Sequence, residues 1–321
     1  MNYDVTIVGG GPAGLSAALL LARCRRRIVV IDAGNPRNSA AEAMHNFLSR
    51  DGTPPLEMLR MSREEVMRYG VEIIHSRATH VRRVDPLNRH AECAFETTLE
   101  DGRQFVSRKL LLATGVVDLL PQLEGIRSHY GKWVHHCPYC DAYEHSDGHL
   151  VAFGPNTKGA GLAFALRTWS RRVTACSDGD VLEDDYRQRL VSNSIALREE
   201  KVIRLEERGS KRMVIFESGP PLECDALFFN TGEVQRSDLA MQLGCQQDEV
   251  GMLKTGPKQG TCQPGLFIAG DADGDVQFVI IAAAEGATAG VAINRELQDE
   301  DCACRESEAP ELQTSSKFRK A

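Results

Sequence analysis

The sequence predicts an α/β protein built from two βαβ-based units, on three observations. Residues 3–8 read as a buried strand, Gly9-Gly10-Gly11-Pro12-Ala13-Gly14 opens an Ala/Leu-rich helix to residue 24, and Ile28-Val29-Val30-Ile31 makes a second buried strand closed by Asp32. The same order returns over 149–178, as a strand at 149–153, the turn Gly154-Pro155-Asn156-Thr157-Lys158-Gly159, a helix through residue 170 and a strand at 173–176. Each unit then reaches an apolar strand that ends in a glycine turn, Ala113-Thr114-Gly115 in the first and Asn230-Thr231-Gly232 in the second.

The remaining elements fill this frame. A helix is expected at 55–69, then strands near 71–84, 91–99, 104–107 and 110–113. After the second unit come a helix at 184–192 and strands near 202–207, 212–216 and 226–229. A strand at 265–269 leads through Gly270-Asp271 into an Ala-rich helix of about 278–297. From 298 the chain is polar and without apolar period, so residues 299–321 are expected to be a flexible tail.

With 321 residues, 42% hydrophobic and 26% charged, the composition is that of a globular protein of about two domains. A net charge of −7 gives no overall attraction to nucleic acid or anionic lipid, so neither is expected as a partner. The apolar run at 13–22 is too short to span a bilayer, and the N-terminus lacks a basic signal-peptide region, so a cytoplasmic location is expected. The ten cysteines are then expected to be free thiols, apart from any specific redox pair.

In Gly9-x-Gly11-x-x-Gly14 the first glycine permits the tight turn, the second lets a pyrophosphate approach the backbone, and the third lets helix and strand pack closely. The phosphate sits on the helix N-terminus, beside Pro12 and Ala13, and Asp32 is placed to accept hydrogen bonds from a ribose. Together with this turn, Ala113-Thr114-Gly115 and Gly270-Asp271 resemble the three FAD-contact motifs of flavoprotein disulfide reductases with two dinucleotide domains. The resemblance implies FAD as cofactor, with Asp271 on the ribitol and the helix starting near Gln277 aimed at the flavin pyrimidine.

His136-Cys137-Pro138-Tyr139-Cys140-Asp141 has the spacing of a reversible disulfide. Half a zinc site is the alternative reading, but no second Cys-x-x-Cys accompanies it and no metal is expected. The string also looks like a glutaredoxin site, which would instead follow the first strand of a small domain. Lying just before the second βαβ unit, it resembles the motif of low-molecular-weight thioredoxin reductases, and the likeness in motif order covers 3–297.

That resemblance implies two Rossmann-like domains, the second inserted into the first. The FAD domain would comprise 1–115 and 246–298, and residues 116–245 would carry the dithiol. Cys137 and Cys140 would be the redox pair and Asp141 its acid/base, with a thioredoxin-like protein or small dithiol as partner and a homodimer as the assembly. The family's glycine after the aspartate is Ala142 here. The sequence does not fix which cysteine attacks the partner. His135 and His136 either tune the thiolates or are ordinary, partly exposed histidines.

The second glycine turn departs from that family. Asn156 stands where the middle glycine belongs, Pro155 removes a donor, and Ser177-Asp178-Gly179-Asp180 replaces the arginines that hold a 2′-phosphate. Lys158, Arg167, Arg171 and Arg172 are the cations left to bind phosphate, or simply solvate a helix face. The combination resembles the pyridine-nucleotide-independent branch, either ferredoxin-linked or diflavin-linked, and the latter would place a second FAD or another nucleotide in this pocket. An NAD(P)H-dependent reductase with an irregular loop, an oxygen-using dithiol oxidase and a flavin redox sensor without turnover are the alternatives. Cys302 and Cys304 in the tail would be either a redox arm or plain tail residues, since a pair separated by one residue strains a disulfide.

Overall fold

The structure, a computed structural model, describes residues 2–86, 94–274 and 276–308. In chain order the first unit holds β1 (Asn2–Val8), α1 (Pro12–Arg23), β2 (Ile28–Asp32), α2 (Pro55–Met67), β3 (Glu72–His75), β4 (Ala78–Val84), β5 (Ala94–Leu99) and β6 (Gln104–Leu112). There follow β7 (Val116–Asp118), α3 (Ile126–His129), β8 (Val134–His135), α4 (Pro138–Asp141), β9 (His149–Phe153), α5 (Thr157–Leu166), β10 (Arg172–Cys176), α6 (Asp184–Ser192) and β11 (Ala196–Arg198). The rest is β12 (Val202–Arg208), β13 (Lys211–Phe216), β14 (Leu222–Cys224), β15 (Ala226–Phe229), β16 (Glu233–Gln235), α7 (Leu239–Gln242), β17 (Leu266–Ile268) and α8 (Val279–Glu308).

Two sheets carry the two units, as the repeated βαβ grammar predicts, the first mixed through the antiparallel strands β5 and β4 and the second parallel. In the first, β1 lies between β2 and β6, with β3 beyond β2 and β17 beside β6, all parallel. The second runs β11-β10-β9-β15-β8, also parallel throughout. Strand β2 is buried at every position, as expected of a central strand covered on both faces. Helices α1 and α8 pack on one another over the first sheet, with a Cβ on Gly286 falling 1.9 Å from the Ala13 carbonyl oxygen. The chain crosses between the sheets twice, and the crossings pair as the antiparallel ribbon β7–β16.

Three expectations are corrected. The strands expected at 104–107 and 110–113 are one, β6, because the polar stretch Ser107-Arg108-Lys109 stays in the sheet. Its first half pairs antiparallel with β5 and its last turn of residues pairs parallel with β17. Lys109 is 4% exposed there, with Nζ 2.7 Å from Glu296 and 2.8 Å from Glu300, and Arg108 reaches Glu300 and Asp301.

Those acids are the reason for the second correction. Helix α8 does not fray at 298 but continues to Glu308, since Glu300 and Asp301 neutralise buried cations instead of facing water. Cys302 and Cys304 therefore sit two apart on a helix and point to different faces. The expected tail at 309–321 and the start of the expected strand, 91–93, lie outside the described residues.

Third, residues 239–245, expected with the inserted unit, pack on the first. Leu239, Ala240, Leu243 and Cys245 share a core with Val81, Phe95 and Leu110. Smaller shifts occur at two helices, α5 ending at Leu166 instead of 170 and α8 starting at Val279, after Gln277.

Candidate active site

The first glycine turn is built as its spacing implies. A Cβ on Gly9 would fall 2.0 Å from the Ala113 carbonyl oxygen, and one on Gly14 would fall 1.9 Å from that of Gly9, so strand, turn and helix close on each other. Gly11 is different, since a Cβ there meets nothing within 4 Å. The space belongs to a cavity of about 710 Å³ that runs along the C-terminal edge of the first sheet.

All three cofactor motifs reach that cavity. Gly9, Gly11, Pro12, Ala13 and Asp32 line it, with Ala113, Thr114 and Gly115 and with Gly270, Asp271 and Gln277. A Cβ on Gly270 would fall 3.0 Å from the Ala13 Cβ, so the first and third motifs meet. Gly14 lies just outside, holding the helix against the strand. Asp32 is 8% exposed and accepts from the Gly34 N–H (3.1 Å) and from Arg63 Nη2 (2.8 Å). The start of α8 faces the same space through Val279.

The dithiol adjoins the same cavity through Cys140. Cys137 caps the four-residue helix α4, and the Cys140 and Asp141 amides point back at its carbonyl oxygen. Cys140 and Asp141 line the cavity, whereas Cys137 is not among its lining residues. A hydrogen bond from Cys140 lowers the Cys137 thiol pKa against its burial. The same bond and burial raise that of Cys140.

Both histidines beside the dithiol are held in polar chains; His135 is buried, whereas His136 keeps the partial exposure of the alternative reading, its side chain 33% exposed. His135 is buried, with Nδ1 3.4 Å from Asp141 Oδ1 and Nε2 3.2 Å from His145 Nε2. Burial and the neighbouring His135 push His145 down to about 4. His136 Nδ1 lies 3.1 Å from the Tyr130 hydroxyl, which donates to Asp118. Burial lowers the His136 pKa.

Sequence reasoning missed Arg37, Asp118, Tyr130, Asn46 and Arg63. Arg37 bridges Asp118 on β7, Asp271 (2.9 Å) and Gln277 (2.5 Å), and so ties the crossing ribbon to the third cofactor motif. Asn46 Nδ2 donates to the Tyr139 carbonyl oxygen between the two cysteines. The one available signal was the irregular segment 33–54, longer than a compact domain needs for a simple connection.

The residues fit FAD. The cavity has the volume of a cofactor site, a glycine stands where a pyrophosphate needs bare backbone, and a redox dithiol opens onto the same space. The model for pyridine nucleotide-disulphide oxidoreductases matches residues 3–286. The chain belongs to that family. It is a thioredoxin reductase-like flavoprotein disulfide oxidoreductase, with FAD as its cofactor.

Among curated relatives, a probable thioredoxin reductase of Arthroderma benhamiae is 30% identical, covering 93% of this chain and 81% of that protein. Among solved structures, HlmI superposes with a TM-score of 0.91 at 34% identity over 96% of both chains. A putative thioredoxin reductase of Bacillus anthracis gives 0.86 at 28%, over 93% and 99%. In this chain the second glycine turn lies apart from the cavity, and none of residues 154–159 lines it.

Proposed function

We propose that this flavoprotein exchanges electrons between FAD and the Cys137/Cys140 pair, and passes them to or from a thioredoxin-like protein or small dithiol, without drawing on NADPH. One observation carries the reading: Cys140 and Asp141 line the same cavity as the three FAD motifs. FAD, when bound, supplies two-electron redox chemistry at the cavity end of the dithiol.

The chain's own residues do the rest. Cys137, which lies off the cavity that Cys140 lines and takes a hydrogen bond from Cys140 that lowers its pKa, is the exchanging nucleophile. Its thiolate attacks one sulfur of a partner disulfide and expels the other as a thiolate, which takes a proton held at Asp141. The Asp141 carboxylate takes the Cys140 proton, Cys140 attacks the Cys137 sulfur of the mixed disulfide and closes the Cys137–Cys140 disulfide, and the second partner sulfur leaves as a thiolate that takes this proton, so the partner departs as a dithiol. The steps run in reverse when the partner dithiol is oxidised. His135 orients the Asp141 carboxylate. Tyr139 and Tyr143, both largely exposed, flank the motif and suit an apolar partner surface.

Freedom from NADPH is supported by Asn156, Pro155 and the acids at 178 and 180. The test is anaerobic bleaching of the flavin by NADPH, NADH, reduced ferredoxin and a small dithiol, side by side. Bleaching by the dithiol and by the one-electron donor, with neither nicotinamide, is expected. Rapid stoichiometric bleaching by micromolar NADPH would restore an NADPH-linked reductase.

A further inference from the structure

Helix α5 opens the second βαβ unit, and its first amides are where a dinucleotide pyrophosphate would normally rest. In this chain the Asn156 N–H at that position donates to a carboxylate of the protein itself, Asp180 Oδ2, at 2.8 Å. Asp180 stands on the loop after β10, the segment that in such units follows the second strand and meets the adenosine ribose. One hydrogen bond therefore joins the two walls between which a nucleotide would enter.

The loop is held in that position independently of Asp180. The Ser177 N–H donates to the Arg198 carbonyl oxygen, the Gly179 N–H to that of Glu199, and the Asp180 N–H back to Ser177. The Leu182 N–H is taken by the Glu199 carboxylate. Beside it, the Asp178 carboxylate accepts from the Val202 N–H. Burial pushes the Asp178 carboxyl up, with the Val202 N–H and the Lys201 charge opposing and the Asp180 charge adding to the rise. The rest of the turn keeps its older geometry, since a Cβ on Gly159 would fall 2.8 Å from both the Cys176 and the Gly154 carbonyl oxygens.

We infer that Asp180 is a built-in anion that occupies the phosphate seat of the second dinucleotide unit and thereby decides against nucleoside diphosphates, NADPH and a second FAD included. A carboxylate on the helix N-terminus satisfies the same amide and the same dipole end that a phosphate would. A phosphate must displace it, and then faces its charge together with that of Asp178. The inference rests on the NADPH-independent reading above and names the residue that enforces it.

The test uses the FAD-loaded protein, its Asp180→Ala and Asp180→Asn variants, and ADP as the probe, with binding followed by calorimetry and flavin reduction by NADPH followed separately. Asp180→Ala frees the amide and removes the charge, and is expected to bind ADP at least tenfold more tightly than the parent, with an affinity that falls as salt is added. Asp180→Asn keeps the shape and an acceptor oxygen, so its gain should be smaller. It also serves if the alanine variant folds poorly. Equal ADP affinity in parent and both variants overturns the inference, even if NADPH still fails to bleach the parent. Bleaching of the parent by NADPH overturns the reading on which it rests, and tight ADP binding with Asp180 in place overturns both.

Discussion

Arg37 and Asp118 form a bidentate, buried pair that fastens the crossing ribbon to the flavin cavity. Arg37 Nη2 lies 2.5 Å from Asp118 Oδ1, and its Nε lies 3.1 Å from each carboxylate oxygen. The side chains are 14% and 7% exposed. Against its own burial, the guanidinium and the Tyr130 hydroxyl hold the Asp118 carboxyl below the usual range.

Removing Arg37 strands that carboxylate. Arg37→Ala is expected to cost about 3 kcal/mol at pH 7, as breaking a buried pair typically does. A depressed carboxyl pKa contributes stability above the unfolded value and loses it as pH falls through the folded value. The gap between parent and variant in urea denaturation should therefore narrow below the carboxylate range. A gap that is constant from pH 7 to pH 3 would assign the loss to packing instead.

The glycines of the first turn separate binding from folding. Gly11→Val puts its side chain into the cavity, so the protein should fold with a near-parental circular dichroism spectrum and carry no flavin colour. Gly14→Val drives a side chain into the Gly9 carbonyl oxygen and should lose the fold itself. Full FAD occupancy in Gly11→Val would move the pyrophosphate elsewhere.

The two thiols should differ in reactivity. In the reduced protein at pH 7, iodoacetamide is expected to modify Cys137 ahead of Cys140, because the Cys137 pKa is lowered and that of Cys140 raised. Cys140→Ala removes the donor, so Cys137 alkylation should slow several-fold at pH 7 and recover at high pH, where the thiolate forms unaided. Either Cys→Ser variant should keep FAD and lose dithiol exchange.

Proton handling tests Asp141. Asp141→Asn should bind FAD normally and lower turnover by about 10²- to 10⁴-fold, the range for a positioned acid/base. Unchanged turnover across the pH profile would assign proton transfer to another group.

Truncation tests the extension of α8. A chain ending at residue 298 loses Glu300 and Asp301, which leaves Arg108 with no α8 carboxylate, only the Leu297 carbonyl oxygen, and Lys109 with Glu296 alone. It should melt well below the full chain, whereas one ending at residue 308 should not. Lys109→Met in the full chain should be far milder than the truncation, since an apolar group of similar length suits a buried strand.

The sequence by itself determined the βαβ units, the glycine turn with Asp32, the dithiol and the departure at Asn156. Each is a local pattern, in which strand period, glycine spacing and the Cys-x-x-Cys interval answer to the geometry of neighbouring residues. Only the tertiary structure decided which cysteine faces the cavity, that Arg37 meets Asp118 and Asp271, and that Asp180 returns to the Asn156 amide. These contacts join residues 24 to 234 positions apart, and no periodicity carries them. The end of α8 shows the same division. Its polar residues read as tail because their partners Arg108 and Lys109 lie nearly two hundred residues away on a strand, and a charge is legible as buried only once its counter-charge is in place.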